Sequence, residues 1–283
     1  MRLVFVHGRA QGGSSSEETL EEWLKALERG CKRAGVRLPN SLDVRAPFYG
    51  KFLDEETAFG PGQAIVRGAE EGPDPDDARL LQELADRAGV TNAEISAELT
   101  DPVVARKPEN WRWVIATGKA LSKKAPWLTK KFIRRFTADV DAYLHWPHVR
   151  QGVNEIVAAE LDGGPIVLVG HSLGSVVSYW TLTELNSPPP VPLMVTLGSP
   201  LGIDTIKNSL PRPLQKPASV DRWLNAADRR DFVALFSLDR DHFPAPIENL
   251  LDVKNPKNNR HGIAGYLRDQ IVAEKIATTL ALA

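Results

Sequence analysis

The amino-acid sequence predicts an α/β protein with a mostly parallel central sheet, helices on both faces and a helical insertion. Two short apolar runs, 3–6 and 166–169, have the pattern of strands that are buried on both faces. Each run leads into a glycine-containing turn and then a segment with helical periodicity. Strands that alternate with helices in this way form parallel sheets, because each helix carries the chain back across the sheet.

The first part of the chain follows this alternation from strand to helix to strand. After the strand at Leu3–Val6, one helical face carries five apolar side chains: Leu20, Trp23, Leu24, Leu27 and Cys31. A second strand is expected at about Ser41–Ala46, where Pro47 closes it.

Between residues 51 and 147 the alternation stops. Glycine and proline at 60–62 and the acidic stretch 70–77 indicate loops, whereas 80–88 and 111–136 have interrupted helical patterns. We interpret 51–147 as a helical cap or lid insertion into a core formed by 1–50 and 148–283.

Alternation returns in the last part of the chain. Helices are expected at 140–161, 173–185 and 271–282, and strands at 166–169 and 193–197, with weaker strand signals at 222–225 and 247–253. The sheet is therefore expected to gain most of its strands after the insertion.

Composition and charge exclude several classes of function. The net charge of -1 gives no support for nucleic-acid binding, and the single cysteine, Cys31, allows no intrachain disulfide. With no long apolar segment and no secretory pattern, we expect a cytoplasmic protein. The sequence contains no phosphate loop, HExxH or GxGxxG motif, and we expect no cofactor and no metal. Asp239, Asp241 and His242 could ligate a metal, although a charged turn is the commoner structure for such a cluster.

The motif that carries chemistry is Gly170-His171-Ser172-Leu173-Gly174. It matches G-x-S-x-G and lies directly between a buried strand and a helix, where a tight turn raises the serine hydroxyl above the sheet. Side chains two residues before and two residues after the serine would collide in this tight turn, which explains Gly170 and Gly174. The helix N-terminus also supplies a positive dipole end for a developing oxyanion.

This segment, IVLVGHSLGS, resembles the nucleophile elbow of the α/β-hydrolase superfamily, especially its lipase-like and esterase-like members. The opening LVFVHGRAQ resembles the oxyanion strand and loop of the same superfamily. The resemblance covers Met1–Pro47 and about Tyr143 to the C-terminus, but not the insertion. It implies an α/β-hydrolase fold, Ser172 as nucleophile, and a chain order of serine, acid and then histidine.

The residues downstream of Ser172 offer candidates for the base and the acid. His261 lies in a loop between the last candidate strand and the closing helix, whereas His242 precedes that strand, so we assign the base to His261. Asp228 and Asp231 both follow the strand near Asn225. The resemblance to N-x-x-D-x-x-D-x-V-A in lipase-like proteins favours Asp231, with Asp228 as the alternative and a loop-capping role for the other.

The oxyanion hole is expected to use two backbone N–H groups. One belongs to Leu173. The resemblance implies that the other belongs to Arg9, whose side chain either faces solvent or binds an anionic substrate group. His7 is expected to stabilise this loop.

The insertion contains a basic stretch, 119–135, in which aromatic residues are interleaved. The favoured interpretation is a cap helix that buries its aromatics, because Pro126 interrupts the stretch. The alternative is peripheral contact with an anionic membrane.

Together these features predict a serine hydrolase that cleaves a small-molecule or lipid carboxylic ester through a Ser-His-Asp triad and an acyl-enzyme. Thioesterase, amidase and lactonase activities on the same triad are the alternatives. A non-catalytic binding protein ranks last, because all three triad positions have candidates.

Overall fold

The computed structural model describes residues 1–8, 16–59, 75–99, 111–234 and 236–282, and it contains a six-stranded sheet in which all strands are parallel. The prediction of an α/β protein with a parallel sheet is confirmed at this level. The order across the sheet is β2-β1-β3-β4-β5-β6. The strands are β1 (Arg2–Val6), β2 (Asp43–Arg45), β3 (Ile166–His171), β4 (Val191–Leu197), β5 (Val220–Ala226) and β6 (Glu248–Leu250).

Eleven helices are found in the described part of the chain. They are α1 (Ser16–Ala34), α2 (Gly50–Phe59), α3 (Pro75–Arg87), α4 (Asn92–Ser96), α5 (Trp111–Lys124), α6 (Lys130–His145), α7 (Pro147–Ala158), α8 (Leu173–Glu184), α9 (Asp204–Ser209), α10 (Ile263–Leu267) and α11 (Gln270–Leu280). The strands and helices expected on either side of Ser172 are therefore present.

One face of the sheet forms the main hydrophobic core with α1 and α11. Strand register aligns Phe5, Val169, Val195 and Leu224 in one row across four strands. These residues belong to a buried cluster with members of both helices, including Trp23, Leu27, Cys31, Val272 and Ile276. The apolar face predicted for the first helix is thus the face that packs on the sheet.

The opposite face of the sheet is covered by α8. Strand register aligns Val4, Leu168, Met194 and Trp223 in the next row, whose side chains point away from the first core because successive strand residues alternate between faces. The ring of Trp223 stacks on Tyr179 of α8 with 5.9 Å between ring centroids. Helices therefore lie on both faces of the sheet.

The chain divides into two compact units. The first consists of Met1–Lys51, Gln151–Gly202 and Leu210–Ala283 and contains the sheet, and the second consists of Phe52–Arg150 and Ile203–Ser209. Within the second unit, the Glu83 carboxylate accepts hydrogen bonds from the Asp204 and Thr205 N–H groups at the start of α9. Hydrophobic patterning does not predict that 203–209 joins this unit, because the contact with Glu83 joins residues far apart in the chain.

Two prolines explain where the observed helices differ from expectation. The helical pattern at 140–161 is divided between α6, which ends at His145, and α7, which begins at Pro147. The acidic stretch 70–77, predicted as a loop, overlaps α3, which begins at Pro75; residues 70–74 lie outside the described residues. Proline has no N–H for helix continuation but suits the first helical position.

In the second unit, some described residues of the basic and aromatic stretch 119–135 and its neighbour Phe136 contact other residues of the same unit. Lys123 and Lys124 pair with Glu98 and Glu94, and the rings of Phe132 and Phe136 stack at 5.9 Å. The side chains of Lys130, Lys131 and Arg134 lie outside the described residues. Among the helices described, none is both long and apolar enough to cross a membrane. Contact with an anionic membrane surface stays a prediction.

Candidate active site

Ser172 occupies a strained turn between β3 and α8. Its backbone angles are φ 53° and ψ −129°, and within the described ranges it is the one non-glycine residue with positive φ. Such a conformation is costly for a residue with a Cβ and persists only where the surroundings hold it. Here the Ser172 N–H donates to the Leu197 carbonyl at 3.0 Å, and the Ser172 carbonyl accepts from the Ser175 N–H at 2.9 Å.

Glycines around Ser172 are required by close backbone approach. A Cβ built on Gly174 would lie 2.1 Å from the Val6 carbonyl oxygen, and one built on Gly170 would lie 2.8 Å from the Ser175 Cα. Both glycines of the G-x-S-x-G motif are therefore needed where the elbow meets its neighbours. On the other side, a Cβ on Gly8 would lie 3.1 Å from the Ser172 Oγ, so the segment that follows β1 lies directly against the serine.

A chain of hydroxyl groups fixes the Ser172 carbonyl. The Ser175 hydroxyl donates to that carbonyl at 2.6 Å, and its oxygen lies 2.7 Å from the Ser199 Oγ. Because the Ser175 proton is committed to the carbonyl, Ser199 donates to Ser175, and the Leu201 N–H donates to Ser199 at 3.3 Å. Sequence reasoning missed Ser175 and Ser199, since their role depends on the neighbouring strand end.

His261 and Asp231 form a buried hydrogen-bonded pair. The His261 Nδ1 lies 2.7 Å from the Asp231 Oδ2, and the two side chains are 4% and 0% exposed. The pair lies against Gly198. A Cβ built on this glycine would be 3.0 Å from the Asp231 Oδ2 and 3.2 Å from the His261 Cε1. Gly198 directly follows Leu197, whose carbonyl binds the Ser172 N–H. The structure thus brings Asp231, His261 and Ser172 to the carboxyl ends of neighbouring strands.

Asp228, the alternative acid, binds the segment that precedes His261. Its Oδ2 accepts from the Asn255 N–H at 2.8 Å and from the Arg260 Nη1 at 3.3 Å. The Asn255 side-chain amide donates to the Arg260 carbonyl at 2.7 Å, which closes the loop. Asp228 therefore holds this loop while Asp231 contacts the histidine itself. Asn255 and Arg260 were not identified from the sequence.

His171 supports the backbone of His261. Its Nε2–H donates to the His261 carbonyl at 2.7 Å, and the two ring centroids are 4.8 Å apart. Desolvation of the imidazole, and then the proximity of His261, hold the pKa of His171 well below its ordinary value. His171 is therefore neutral at pH 7 and adds no charge beside His261.

The structure describes one of the two expected oxyanion donors. Leu173 is the first residue of α8, where backbone N–H groups have no acceptor within the helix and the helix dipole favours negative charge. Arg9 lies outside the described residues. The preceding His7 is buried, its ring stacks on Tyr49 at 4.5 Å, and the Tyr49 hydroxyl donates to the His7 carbonyl.

The cluster of Asp239, Asp241 and His242 forms a turn. The Asp239 carboxylate accepts from the Asp241 N–H at 3.1 Å and lies 2.8 Å from the His242 Nδ1. A hydrogen bond from Ser237, together with His242, lowers the pKa of Asp239 to about 2. Across the described ranges, no group of three or more histidine, cysteine, aspartate or glutamate side chains is arranged to hold a metal ion.

Comparisons of the chain with protein-family models, with curated proteins and with solved structures gave no match. The chemistry of the site therefore has to be inferred from its own residues. Those residues are a serine on a strained elbow, a buried histidine–aspartate pair and a helix N-terminus that begins beside the serine.

Proposed function

We propose that the chain is a serine hydrolase with an α/β-hydrolase-like fold, which cleaves carboxylic esters. Ser172 is the nucleophile, His261 the general base and Asp231 the acid that orients His261. The observation that carries this proposal is the strained φ of Ser172 at the strand–helix junction, at the same sheet edge as a buried histidine–aspartate pair. A structural serine needs neither the strain nor the pair.

The acylation step follows from this arrangement. The Ser172 Oγ attacks the ester carbonyl carbon while its proton passes to the His261 Nε2. The Asp231 carboxylate stabilises the resulting imidazolium through the Nδ1–H, and the Leu173 N–H stabilises the oxyanion. We assign the second oxyanion donor to the Arg9 N–H. When the tetrahedral intermediate collapses, the alkoxide takes the proton from His261 and leaves as an alcohol.

Deacylation repeats the sequence with water as the nucleophile. His261 removes a proton from water as the oxygen attacks the acyl carbon, and it returns that proton to the Ser172 Oγ as the acid leaves. The reaction consumes one water and needs no cofactor.

A fluorophosphonate probe and p-nitrophenyl esters of short and long acyl chains test this proposal. We expect covalent labelling at Ser172 and ester turnover in the wild type, and loss of both in Ser172→Ala. Absence of labelling in the wild type, or full activity in Ser172→Ala, would refute it. Matched thioester, amide and lactone substrates then determine which bond is cleaved fastest.

A further inference from the structure

Tyr266 contacts the same carboxylate oxygen that His261 does. It lies on α10 and is fully buried. Its hydroxyl donates to the Asp231 Oδ2 at 2.7 Å, and the His261 Nδ1 lies 2.7 Å from that oxygen. The direction of the tyrosine bond is fixed, because the Asp228 N–H donates to the hydroxyl oxygen at 3.1 Å and the single hydroxyl proton is left for Asp231.

The tyrosine is a permanent donor to this carboxylate. Burial, and then the charge of Asp231, raise the pKa of Tyr266 well above its ordinary value, so that the hydroxyl stays protonated. The other carboxylate oxygen, Oδ1, accepts from the Val233 N–H at 3.1 Å. Both oxygens of Asp231 are thus held, and the carboxylate cannot rotate away from His261 without losing hydrogen bonds.

A hydrogen bond donated to an ionised carboxylate also lowers its affinity for protons. Without the Tyr266 donor, Asp231 would attract the His261 Nδ1 proton more strongly and favour the imidazolium. In the described part of the chain, titratable groups near the pair include His171, which is neutral and also feels His7, and Asp228, which is paired with Arg260. The tyrosine hydroxyl donates to the carboxylate itself, so its removal acts on Asp231 directly.

We propose that Tyr266 is a positioning residue, whose hydroxyl orients Asp231 toward His261 and weakens the attraction of the carboxylate for the His261 Nδ1 proton. This inference rests on the proposed hydrolase function. It assigns to Tyr266 an indirect role in catalysis, since the hydroxyl acts on the acid and not on the substrate.

Tyr266→Phe tests the proposal, because it removes the hydroxyl and keeps the ring beside His171 and Gly198. Tyr179→Phe is the matched control: Tyr179 is also fully buried, but its hydroxyl accepts from the Gln215 N–H. In Tyr266→Phe we expect kcat to fall about tenfold with KM unchanged. We also expect the acidic limb of the plot of kcat/KM against pH to shift by about half a pH unit toward higher pH. The control should change neither quantity.

Proton NMR provides a readout that does not need turnover. The downfield resonance of the His261 Nδ1 proton should shift in Tyr266→Phe but not in Tyr179→Phe. In the wild type, a cross-peak should join this proton to the Tyr266 hydroxyl proton, because both protons bind one oxygen; this measurement requires no variant.

The outcomes separate the positioning role from the hydrolase function. An unchanged resonance and pH profile in Tyr266→Phe, or absence of the wild-type cross-peak, would overturn the positioning role. A wild type that the fluorophosphonate does not label, but that shows the cross-peak and the shift, would refute the hydrolase and support the contact.

Discussion

An array of serine, histidine and aspartate is found in each of the two compact units. The elbow array consists of Ser172, His261 and Asp231, and the helix array consists of Ser209, His145 and Asp141. In both arrays the histidine Nδ1 lies 2.7 Å from an aspartate oxygen. In the helix array the Ser209 Oγ also lies 3.5 Å from the His145 Nε2. Residue types and distances alone therefore do not identify an active site.

The serines of the two arrays differ in their backbone. Ser172 is held at positive φ with its N–H and carbonyl both bound, at the start of a helix. Ser209 is the last residue of α9, and its hydroxyl donates to the Thr205 carbonyl one turn earlier at 3.2 Å. A serine that binds its own helix in this way has the ordinary arrangement of a helical serine. It lies at the end of the helix whose dipole disfavours an oxyanion.

The histidine–aspartate pairs differ in how they are supported. His145 and Asp141 are one turn apart on α6, and the histidine side chain is 32% exposed. His261 and Asp231 come from separate loops and are almost fully buried, with hydrogen bonds from Tyr266, Val233 and His171. The comparison shows that preorganisation by neighbouring groups, rather than the three side chains, distinguishes the elbow array.

The largest effect is expected from removing the negative charge of Asp231, and the matched change at Asp141 is the control. Asp231→Asn should lower kcat by about 10³- to 10⁴-fold, because an amide no longer stabilises the imidazolium and favours the wrong histidine tautomer. Asp141→Asn should leave kcat unchanged. Steady-state ester hydrolysis by both variants provides the measurement. Comparable losses of kcat in the two variants would show that the elbow array is not catalytically distinct from the helix array.

A smaller effect, on the free energy of unfolding, is expected from breaking the ion pair between Asp228 and Arg260 that supports the His261 loop. Asp228→Ala leaves the buried charge of Arg260 without its carboxylate partner, although the Asn255 carbonyl still accepts from it, so we expect the free energy of unfolding to fall by about 3 kcal/mol. The control is Asp252→Ala at the pair between Asp252 and Arg229, whose side chains are 78% and 71% exposed. Exposed pairs contribute about 0–1 kcal/mol. Urea unfolding measures both variants, and equal losses would contradict a supporting role for Asp228.

The parts of the site that the sequence predicted are those encoded locally. Strand β3, the glycines at 170 and 174 and the start of α8 are contiguous, so apolar patterning and turn chemistry were sufficient to place Ser172. The sheet was predicted for the same reason, although β5 begins earlier than expected, at Val220. The proposed assignment of Asp231 depended on a motif resemblance.

The supporting residues could not be predicted because their partners are distant in the chain. Tyr266 lies on the short helix that follows His261, but its hydroxyl contacts a carboxylate 35 positions earlier. Arg260 precedes His261 directly, yet its partner is Asp228. Such pairings depend on how loops meet at the sheet edge, which hydrophobic periodicity does not encode.

An effect smaller than that of Asp228→Ala is expected on the pH dependence of stability, and it comes from the neutral His171. Its pKa in the folded state is below the unfolded value of about 6.5, so the unfolded chain binds more protons as the pH falls below that value. Stability is therefore lost below about pH 6.5. We expect His171→Gln, which stays neutral and can still donate to the His261 carbonyl, to reduce the fall in Tm between pH 7 and pH 5 by about 2–4 °C.

The control for this pH effect is His148→Gln, because the His148 side chain is 66% exposed and its contact with Glu56 is the kind of surface pair that contributes about 0–1 kcal/mol. Its curve of Tm against pH should overlay that of the wild type. If His171→Gln also overlays the wild type, His171 is not the group that responds to pH.

The smallest effect is expected at Ser209. Ser209→Ala removes a hydroxyl that is bound to its own helix and is only 3.5 Å from His145, so the free energy of unfolding should change by less than about 0.5 kcal/mol. Fluorophosphonate labelling should be as complete as in the wild type. Mass spectrometry of the labelled wild-type protein should locate the adduct on the peptide with Ser172 and leave the Ser209 peptide unmodified. An adduct on Ser209 would mean that a regular helix end can activate a serine without a strained elbow. The strained backbone of Ser172 would then not be what distinguishes the elbow array from the helix array.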